Sequence, residues 1–388
     1  MRRQRWVALL LLLCGLGREA RAATSPDVLA DLIAGDRLRL SRLFARTAPE
    51  VSLPDGVQAG GELDGQYIQP SLGFRRPDPT LIFAAQLGLS FDTSAAGWWR
   101  GGRLVFAVLT VGSSGNPDRA VGDLQGISAL YQHTRARFHD IYVRQRFGFG
   151  LVRLGVMNGN DYFDATGLAD ILQNGSFSLA PTIGVDISGL SHSGLGAVLR
   201  LGNGQRALRL GVFQGDPVDT FQHVLGRGGI GFIEVDDTLG APPGRLTLKL
   251  GAWQYWQSRR FAASLGPSLG GFYGIAEWRR RLSDGARLGV FAQLAANPHA
   301  AGEVAGYTGV GVRLSHFVIG RPHDVTALGV ARALLRHQPE PAETAVELAY
   351  LARVAPRLYL EPDLQWIRHA DGQNRTAWVG LIGFGLAL

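Results

Sequence analysis

Two short motifs in the sequence match those of known enzyme sites. Gly266-Pro267-Ser268-Leu269-Gly270 fits the pattern that places a nucleophilic serine on a turn from a strand to a helix. Residues 226–231 fit the glycine pattern that lets a pyrophosphate approach a helix N-terminus. Both motifs are followed by residues that predict a strand instead of a helix, so we expect flexible loops there. The nine histidines show no metal-ligand spacing, and we predict no catalytic residue, no metal and no cofactor.

A second group of candidates consists of charged and aromatic side chains that alternate with apolar ones. In residues 357–366 the even positions are apolar, with Pro362 among them, and the odd positions carry Arg, Tyr, Glu, Asp and Gln. Residues 245–255 repeat this pattern, with leucines opposite Lys249, Trp253 and Tyr255. Successive side chains of a strand point to opposite faces. Each of these segments therefore predicts a strand with one apolar face and one polar face.

This alternation covers nearly all of the chain after about residue 57. Gly, Pro, Asp and Asn clusters separate the runs, as expected for turns. Seventeen candidate strands suggest sixteen true strands, and the chain then offers about 23 residues for each strand and its connection. The candidates lie near residues 57, 80, 102, 136, 149, 180, 194, 206, 230, 245, 271, 286, 305, 324, 343, 356 and 375.

The N-terminus predicts export. Arg2, Arg3 and Arg5 precede an apolar stretch from Val7 to Leu13, and Ala20-Arg21-Ala22 supplies a cleavage site of small residues. The apolar stretch is too short to span a bilayer as a helix. Only helices and closed barrels satisfy the backbone in lipid, so an exported chain of alternating strands predicts an all-β transmembrane antiparallel barrel.

These features divide the chain into three predicted parts. Residues 1–22 are a signal peptide, residues 23–56 an N-terminal periplasmic helix and lead-in segment, and residues 57–388 the barrel. The helix is expected within residues 25–46, where Ser25 and Pro26 form an N-cap and N1 pair. After cleavage the net charge falls from +7 to near +3 and Cys14 is removed. That charge is not typical of nucleic-acid binding.

Several sequence blocks from about residue 86 to the C-terminus resemble the carbohydrate-selective outer-membrane porin family (OprB type). The block most similar to the family is Val346-Glu347-Leu348-Ala349-Tyr350, followed by Leu358 to Trp366. One departure is Arg144, where many relatives have an acidic residue, and another is the terminal Leu388 in place of Phe. The further blocks are Gly97-Trp98 with Gly101-Gly102, residues 122–126 (Gly-Asp-Leu-Gln-Gly), residues 212–217, Lys249-Leu250-Gly251 with Trp253, and Gly320-Arg321-Pro322 with Asp324-Val325.

The resemblance implies passive diffusion of mono- or small oligosaccharides across the outer membrane of a Gram-negative bacterium. Polar strand faces would line the pore, and residues 158–178, which do not alternate, form either a loop folded into the lumen or a surface loop. The pore-lining and sugar-contact candidates are Asp140, Arg144, Arg153, Asp161, Asp164, Arg209, Lys249, Trp253, Tyr255, Glu347, Glu361 and Asp363. A rigid charge ladder in the lumen wall is the alternative role for each of them.

Three other functions remain open at this stage. A cationic lumen would favour a general or anion-preferring small-solute porin, because rings of arginine attract anions. A barrel enzyme would need Ser, His and Asp side chains together at one rim. An adhesion or assembly barrel would have a plugged lumen. The expected partners are outer-membrane lipids, sugar substrates and the barrel-assembly machinery, with no nucleic acid and with either a monomer or a homotrimer.

Overall fold

The computed structural model describes residues 54–72, 78–132, 135–185, 187, 192–202, 204–215, 228–241, 243–256, 269–283, 285–318 and 320–387. The predicted signal peptide and N-terminal helix lie outside these residues. So do residues 266–268 of the first enzyme-like motif and residues 226–227 of the second. The remaining residues of each motif lead into or lie in a strand, Leu269–Arg281 and Gly229–Ala241, as expected.

The described residues form a closed barrel of sixteen antiparallel strands, as the alternation predicts. Each strand pairs with its neighbours in sequence, and the first pairs with the last through a register that includes Asp64 opposite Gly385. The strands are β1 Val57–Leu72, β2 Thr80–Asp92, β3 Gly102–Ser113, β4 Arg135–Phe147, β5 Gly150–Met157, β6 Gly194–Gly202, β7 Arg206–Gln214, β8 Gly229–Ala241, β9 Gly244–Trp256, β10 Leu269–Arg281, β11 Arg287–Ala296, β12 Val304–Ser315, β13 Val325–Leu335, β14 Ala342–Ala355, β15 Leu358–Arg368 and β16 Thr376–Ala387.

One of the seventeen candidate strands, the one near residue 180, is wrong. Residues 175–184 instead form two short helices, α2 Gly175–Ser178 and α3 Pro181–Gly184. The apolar side chains that suggested a strand, among them Phe177 and Ile183, are buried. A third helix, α1 Pro117–Val121, lies between β3 and β4, with Asn116 as its N-cap. Within the described residues, no helix has the length and apolar character needed to cross a membrane.

The barrel is apolar outside and polar inside, as expected of a barrel that stands in lipid. Leu250 is 70% exposed and Phe272 is 63% exposed on the outer face. On β15 the predicted alternation is confirmed: Leu360 and Leu364 point outward, whereas the odd-numbered side chains are buried. A water-soluble protein would show the reverse arrangement.

The two ends of the barrel have different connections. Residues 148–149 and 356–357 are examples of the short turns at one end, whereas residues 158–193 connect β5 to β6 at the other. Short turns face the periplasm in such barrels and long loops face the exterior. We call the two ends the turn end and the loop end. Tryptophans occur at both: Trp98 lies in a turn, and Trp366 pairs with Trp378 near the loop end, with ring centroids 6.5 Å apart.

Candidate solute pathway

The segment of residues 158–185, which we call loop B, lies inside the barrel. The Leu168 N–H donates to the Glu277 carboxylate of β10 at 2.7 Å. The Gln66 side chain of β1 donates to that of Gln173 at 2.5 Å. These strands are on different sides of a closed barrel, so a segment that contacts both must cross the lumen. Of the two alternatives left by the sequence, the loop folded into the lumen is therefore the observed one.

Wall carboxylates hold the backbone of loop B. Glu347 of β14 accepts from the backbone N–H groups of Gln173 and Asn174, the latter at 3.0 Å. Glu234 of β8 accepts from the Asp164 N–H at 3.3 Å. A loop inside a barrel cannot pair its backbone in a sheet, and buried N–H groups need acceptors. Inward-facing acids therefore provide the partners that solvent would give a surface loop.

Glycines in the wall make room for the apolar side chains of loop B. A Cβ at Gly329 of β13 would lie 2.5 Å from the Phe177 ring, and one at Gly211 of β7 would lie 2.3 Å from the Phe163 ring. A Cβ at Gly289 of β11 would lie 2.5 Å from the Leu168 side chain of loop B. No Cβ approaches another atom so closely, so only glycine allows the loop to pack against these strands.

Basic side chains add to this packed side of the lumen. Arg209 pairs with Glu234 and, at 3.1 Å, with Asp236. Lys249 donates to the Ala165 carbonyl of loop B. Arg313 of β12 pairs with an aspartate of the same loop. Lys249 and Arg313 thus bind loop B directly, whereas Arg209 acts through Glu234, which accepts from a backbone N–H of the loop.

A second segment, residues 114–132, also enters the lumen, and we call it loop A. Glu343 of β14 accepts from the backbone N–H groups of Leu124 and Gln125, at 2.9 Å and 3.0 Å. The two loops are joined directly, because the Gly175 N–H donates to the Gly126 carbonyl at 2.7 Å. Loop A is therefore attached both to the wall and to loop B.

Between the two loops and the wall formed by β1, β15 and β16 lies a cavity of about 340 Å³. Its lining combines apolar side chains with many side chains that can hydrogen-bond to hydroxyl groups. Burial, with the charge of Asp118, raises the pKa of Tyr131, which therefore remains a neutral phenol. The described lining residues include no Arg or Lys. The polar lining consists of Asp64, Gln66, Asp118, Asp123, Gln125, Tyr131, Gln132, His139, Asn158, Gln173, Tyr359 and Glu361.

The twelve residues predicted from the sequence are distributed over both sides of the lumen. Of these, Glu361 lines the cavity, where it accepts from the Gln173 side chain at 2.5 Å. Arg144 and Arg153 are paired in register near the turn end, and Arg153 lies over the Tyr162 ring at 4.9 Å from its centroid. The remaining ones are Asp140 beside them on β4, Asp161 and Asp164 in loop B, Arg209, Lys249, Trp253, Tyr255 and Glu347 on the packed side, and Asp363 on β15.

Sequence reasoning missed most of the cavity lining. Asp64 and Gln66 could have been found, because they alternate with apolar residues on β1 in the pattern used elsewhere. Asp123 and Gln125 belong to the Gly-Asp-Leu-Gln-Gly block, which indicated the family and carried no functional assignment. Their place in the lumen follows from the folding of loop A, for which the sequence has no local signal.

Comparisons with known proteins agree with this architecture. Residues 241–386 match the model of the carbohydrate-selective porin family, OprB. No curated protein sequence matches the chain. Among solved structures, OprB of Pseudomonas putida at high pH superposes with a TM-score of 0.75 and 16% identity, covering 86% of this chain and 94% of that one.

More distant outer-membrane proteins share the fold. The outer-membrane protein OmpT of Vibrio cholerae has a TM-score of 0.56 at 12% identity, covering 87% of this chain and 100% of its own. An anion-selective porin from Comamonas acidovorans has a TM-score of 0.52 at 14% identity, covering 86% of this chain and 99% of its own. At such identities the structural likeness establishes the fold alone. The chain has the sixteen-stranded barrel fold of outer-membrane porins and matches, over residues 241–386, the model of the carbohydrate-selective porin family.

Proposed function

We propose that this porin passes mono- or small oligosaccharides by passive diffusion, along the cavity side of the lumen. The observation that carries this proposal is the cavity itself, which lies inside a closed barrel and is lined by amides, carboxylates and tyrosines. Such groups replace the hydrogen bonds that sugar hydroxyls make with water, and aromatic rings contact the apolar face of a pyranose. Loop B packs against the opposite wall, on β8, β10 and β14.

Among the predicted contacts, Glu361 is the one that we retain as a direct sugar ligand. Asp64, Gln66 and Tyr359 join it, since all line the same cavity. The other predicted residues would act by holding loop B in place or by setting the charge of the turn end. We also propose the predicted division of the chain, with a signal peptide at residues 1–22, a lead-in at 23–56 and the barrel from residue 57.

A second candidate function is transport of small anions. It is favoured by Arg103, Arg144 and Arg153, which occupy paired positions on β3, β4 and β5 and are all buried in the wall. Against it, four carboxylates and no described Arg or Lys line the cavity. The reversal potential across a salt gradient separates the two functions, because a pathway along the cavity favours cations.

An enzymatic role is the least supported alternative, and we propose that the chain is not an enzyme. The family and the structural neighbours named as porins are channels. The arrangement that most resembles a catalytic pair is Ser193 Oγ, 3.3 Å from His139 Nδ1. Both side chains are buried. Ester hydrolysis that is lost on Ser193→Ala would contradict our assignment. We also propose that the barrel is a monomer or a homotrimer and that the barrel-assembly machinery inserts it.

The test is single-channel conductance of the purified protein in planar bilayers, titrated with mono- and oligosaccharides. We expect dose-dependent block by sugars and no block by linear polyols of matched size. Open conductance without any sugar effect would indicate a general porin, and a membrane that stays silent would indicate a plugged barrel.

A further inference from the structure

Asp123 in loop A is a buried carboxylate whose nearest donors, the backbone N–H groups of Asp123 itself and of Gly126, are poorly aligned with it. It follows α1, whose C-cap Gly122 has a positive φ of 66° that turns the chain back toward the wall. Both carboxylate oxygens are buried, and neither accepts a hydrogen bond of ordinary geometry. Arg375, a basic side chain that contacts this stretch, donates to the Gly122 carbonyl at 2.9 Å.

A second acceptor without a partner lies two residues away. The Gln125 side chain is 5% exposed, and its Oε1 has no hydrogen-bond partner. Its Nε2 donates to the Glu343 carbonyl at 3.4 Å, which leaves Oε1 as the unused group. Asp123 and Gln125 line the same cavity. Buried acceptors without donors are destabilising, so the cavity favours a ligand that supplies donors.

The negative charge around Asp123 indicates which charge the ligand carries. Burial raises the pKa of Asp123 well above its ordinary value, and the charges of Glu343 and Asp118 raise it further. Asp64 and Glu361 add two carboxylates to the lining. A positive charge placed beside Asp123 would offset this repulsion, whereas a neutral donor would satisfy the acceptors alone.

We propose that the cavity contains a subsite for amino sugars, in which a protonated amine binds to Asp123 and Gln125. This inference rests on the proposed function and names a substrate class for it. The sugar hydroxyls then meet the amides of Gln66 and Gln132, and Tyr131 offers an aromatic face. The cavity volume, about 340 Å³, lies within the range of small-molecule sites.

The experiment compares glucosamine, glucose and N-acetylglucosamine as blockers of the purified porin in planar bilayers. N-acetylglucosamine keeps the nitrogen but removes its charge. We expect glucosamine to block the wild-type pore at about tenfold lower concentration than the other two, because a hydrogen bond to a charged group is worth more than a neutral one. The Asp123→Asn substitution should remove this preference.

Matched variants control for charge and for folding. Asp78→Asn removes an exposed carboxylate at the loop end, outside the cavity lining, and should keep the preference. Gln125→Glu adds a carboxylate at the second acceptor and should strengthen it, so the proposal can be tested even where Asp123→Asn fails to insert.

The outcomes separate this inference from the function on which it rests. Equal block of the wild-type pore by glucosamine and glucose would overturn the subsite and leave the sugar pore intact. Block by ethylamine at the same concentration as glucosamine would overturn it too, since the site would then bind cations without the sugar. No block by any sugar would overturn the proposed function itself.

Discussion

The two sides of the lumen are built on different principles. On the packed side, β7–β14 receive loop B through glycines that admit aromatic rings and through carboxylates that accept backbone N–H groups. On the cavity side, the wall of β1, β15 and β16 faces an open volume lined by Asp123 and Gln125, whose acceptors are unused. Groups that contact loop B stabilise a fixed loop, and groups that line the open volume are available to a passing solute. The comparison suggests that the packed side sets the size of the pore and the cavity side its preference.

The largest effect on the pore is expected from Gly329→Val on the packed side. Its side chain would occupy the space of the Phe177 ring, and overpacking of this kind costs about 1–3 kcal/mol. Loop B should leave the wall, so single-channel conductance should rise and sugar block should weaken. Gly112→Val, at a site with open space around the Cβ position, is the control. Unchanged conductance in the Gly329 variant would show that loop B does not restrict the pore.

A smaller effect is expected from Glu347→Ala. The substitution removes the acceptor for the N–H groups of Gln173 and Asn174, which costs about 1–3 kcal/mol for each buried group. The barrel should unfold at lower temperature and its current should fluctuate more between levels. Glu347→Gln keeps one carbonyl acceptor and should lie between wild type and Ala. Equal thermal stability of all three proteins would show that Glu347 does not hold loop B against the wall.

On the cavity side, Gly383→Leu should change transport with little effect on stability. Gly383 lines the cavity, and a Cβ there would lie 3.3 Å from that of Glu361, a contact that small shifts relieve. The leucine should lower sugar flux in a liposome-swelling assay while the unfolding temperature stays close to that of wild type. Unaltered flux would mean that solutes take another route through the lumen.

The smallest effect on stability is expected from Asp324→Asn, in the turn that precedes β13, and only at acidic pH. Burial of Asp324 raises its pKa, but hydrogen bonds from Arg321, Tyr350 and the Arg353 N–H outweigh it, and the pKa lies below 3.8. A lowered folded-state pKa contributes stability that is present at neutral pH and lost as the pH falls through that value. Asp324→Asn should therefore flatten the loss of stability below about pH 4, measured by acid unfolding. A wild-type acid profile in this variant would assign the loss to other groups.

The fold was largely predictable, because alternation along each strand is a local property of the sequence. β15 shows this well, since its apolar and polar faces follow directly from residues 357–366. The candidate strand near residue 180 was wrong because its apolar residues reflect long-range packing and not a local alternation. Phe177 and Ile183 are apolar because they pack inside the barrel, and the pattern of a short apolar run does not tell a strand from a buried loop.

The site was less predictable than the fold. The sequence identified inward-facing acids such as Glu347, but whether such an acid meets a solute or a loop depends on contacts between residues more than 170 positions apart. Asp123 shows the same limit. Its role follows from where loop A turns back to the wall, a long-range feature without a signature in the neighbouring residues.

Cysteine accessibility distinguishes a solute route along the cavity side from a route along the packed side. The predicted mature chain contains no cysteine, so single cysteines can be placed on either side of the lumen. Ala129 lines the cavity, and Ala331 is buried on β13 of the packed side. Each would be replaced by cysteine, as Ala129→Cys and Ala331→Cys. We predict that a charged methanethiosulfonate added during a bilayer recording lowers the current and sugar block of the Ala129 variant and leaves the Ala331 variant unchanged. Loss of current through the Ala331 variant alone would contradict the account.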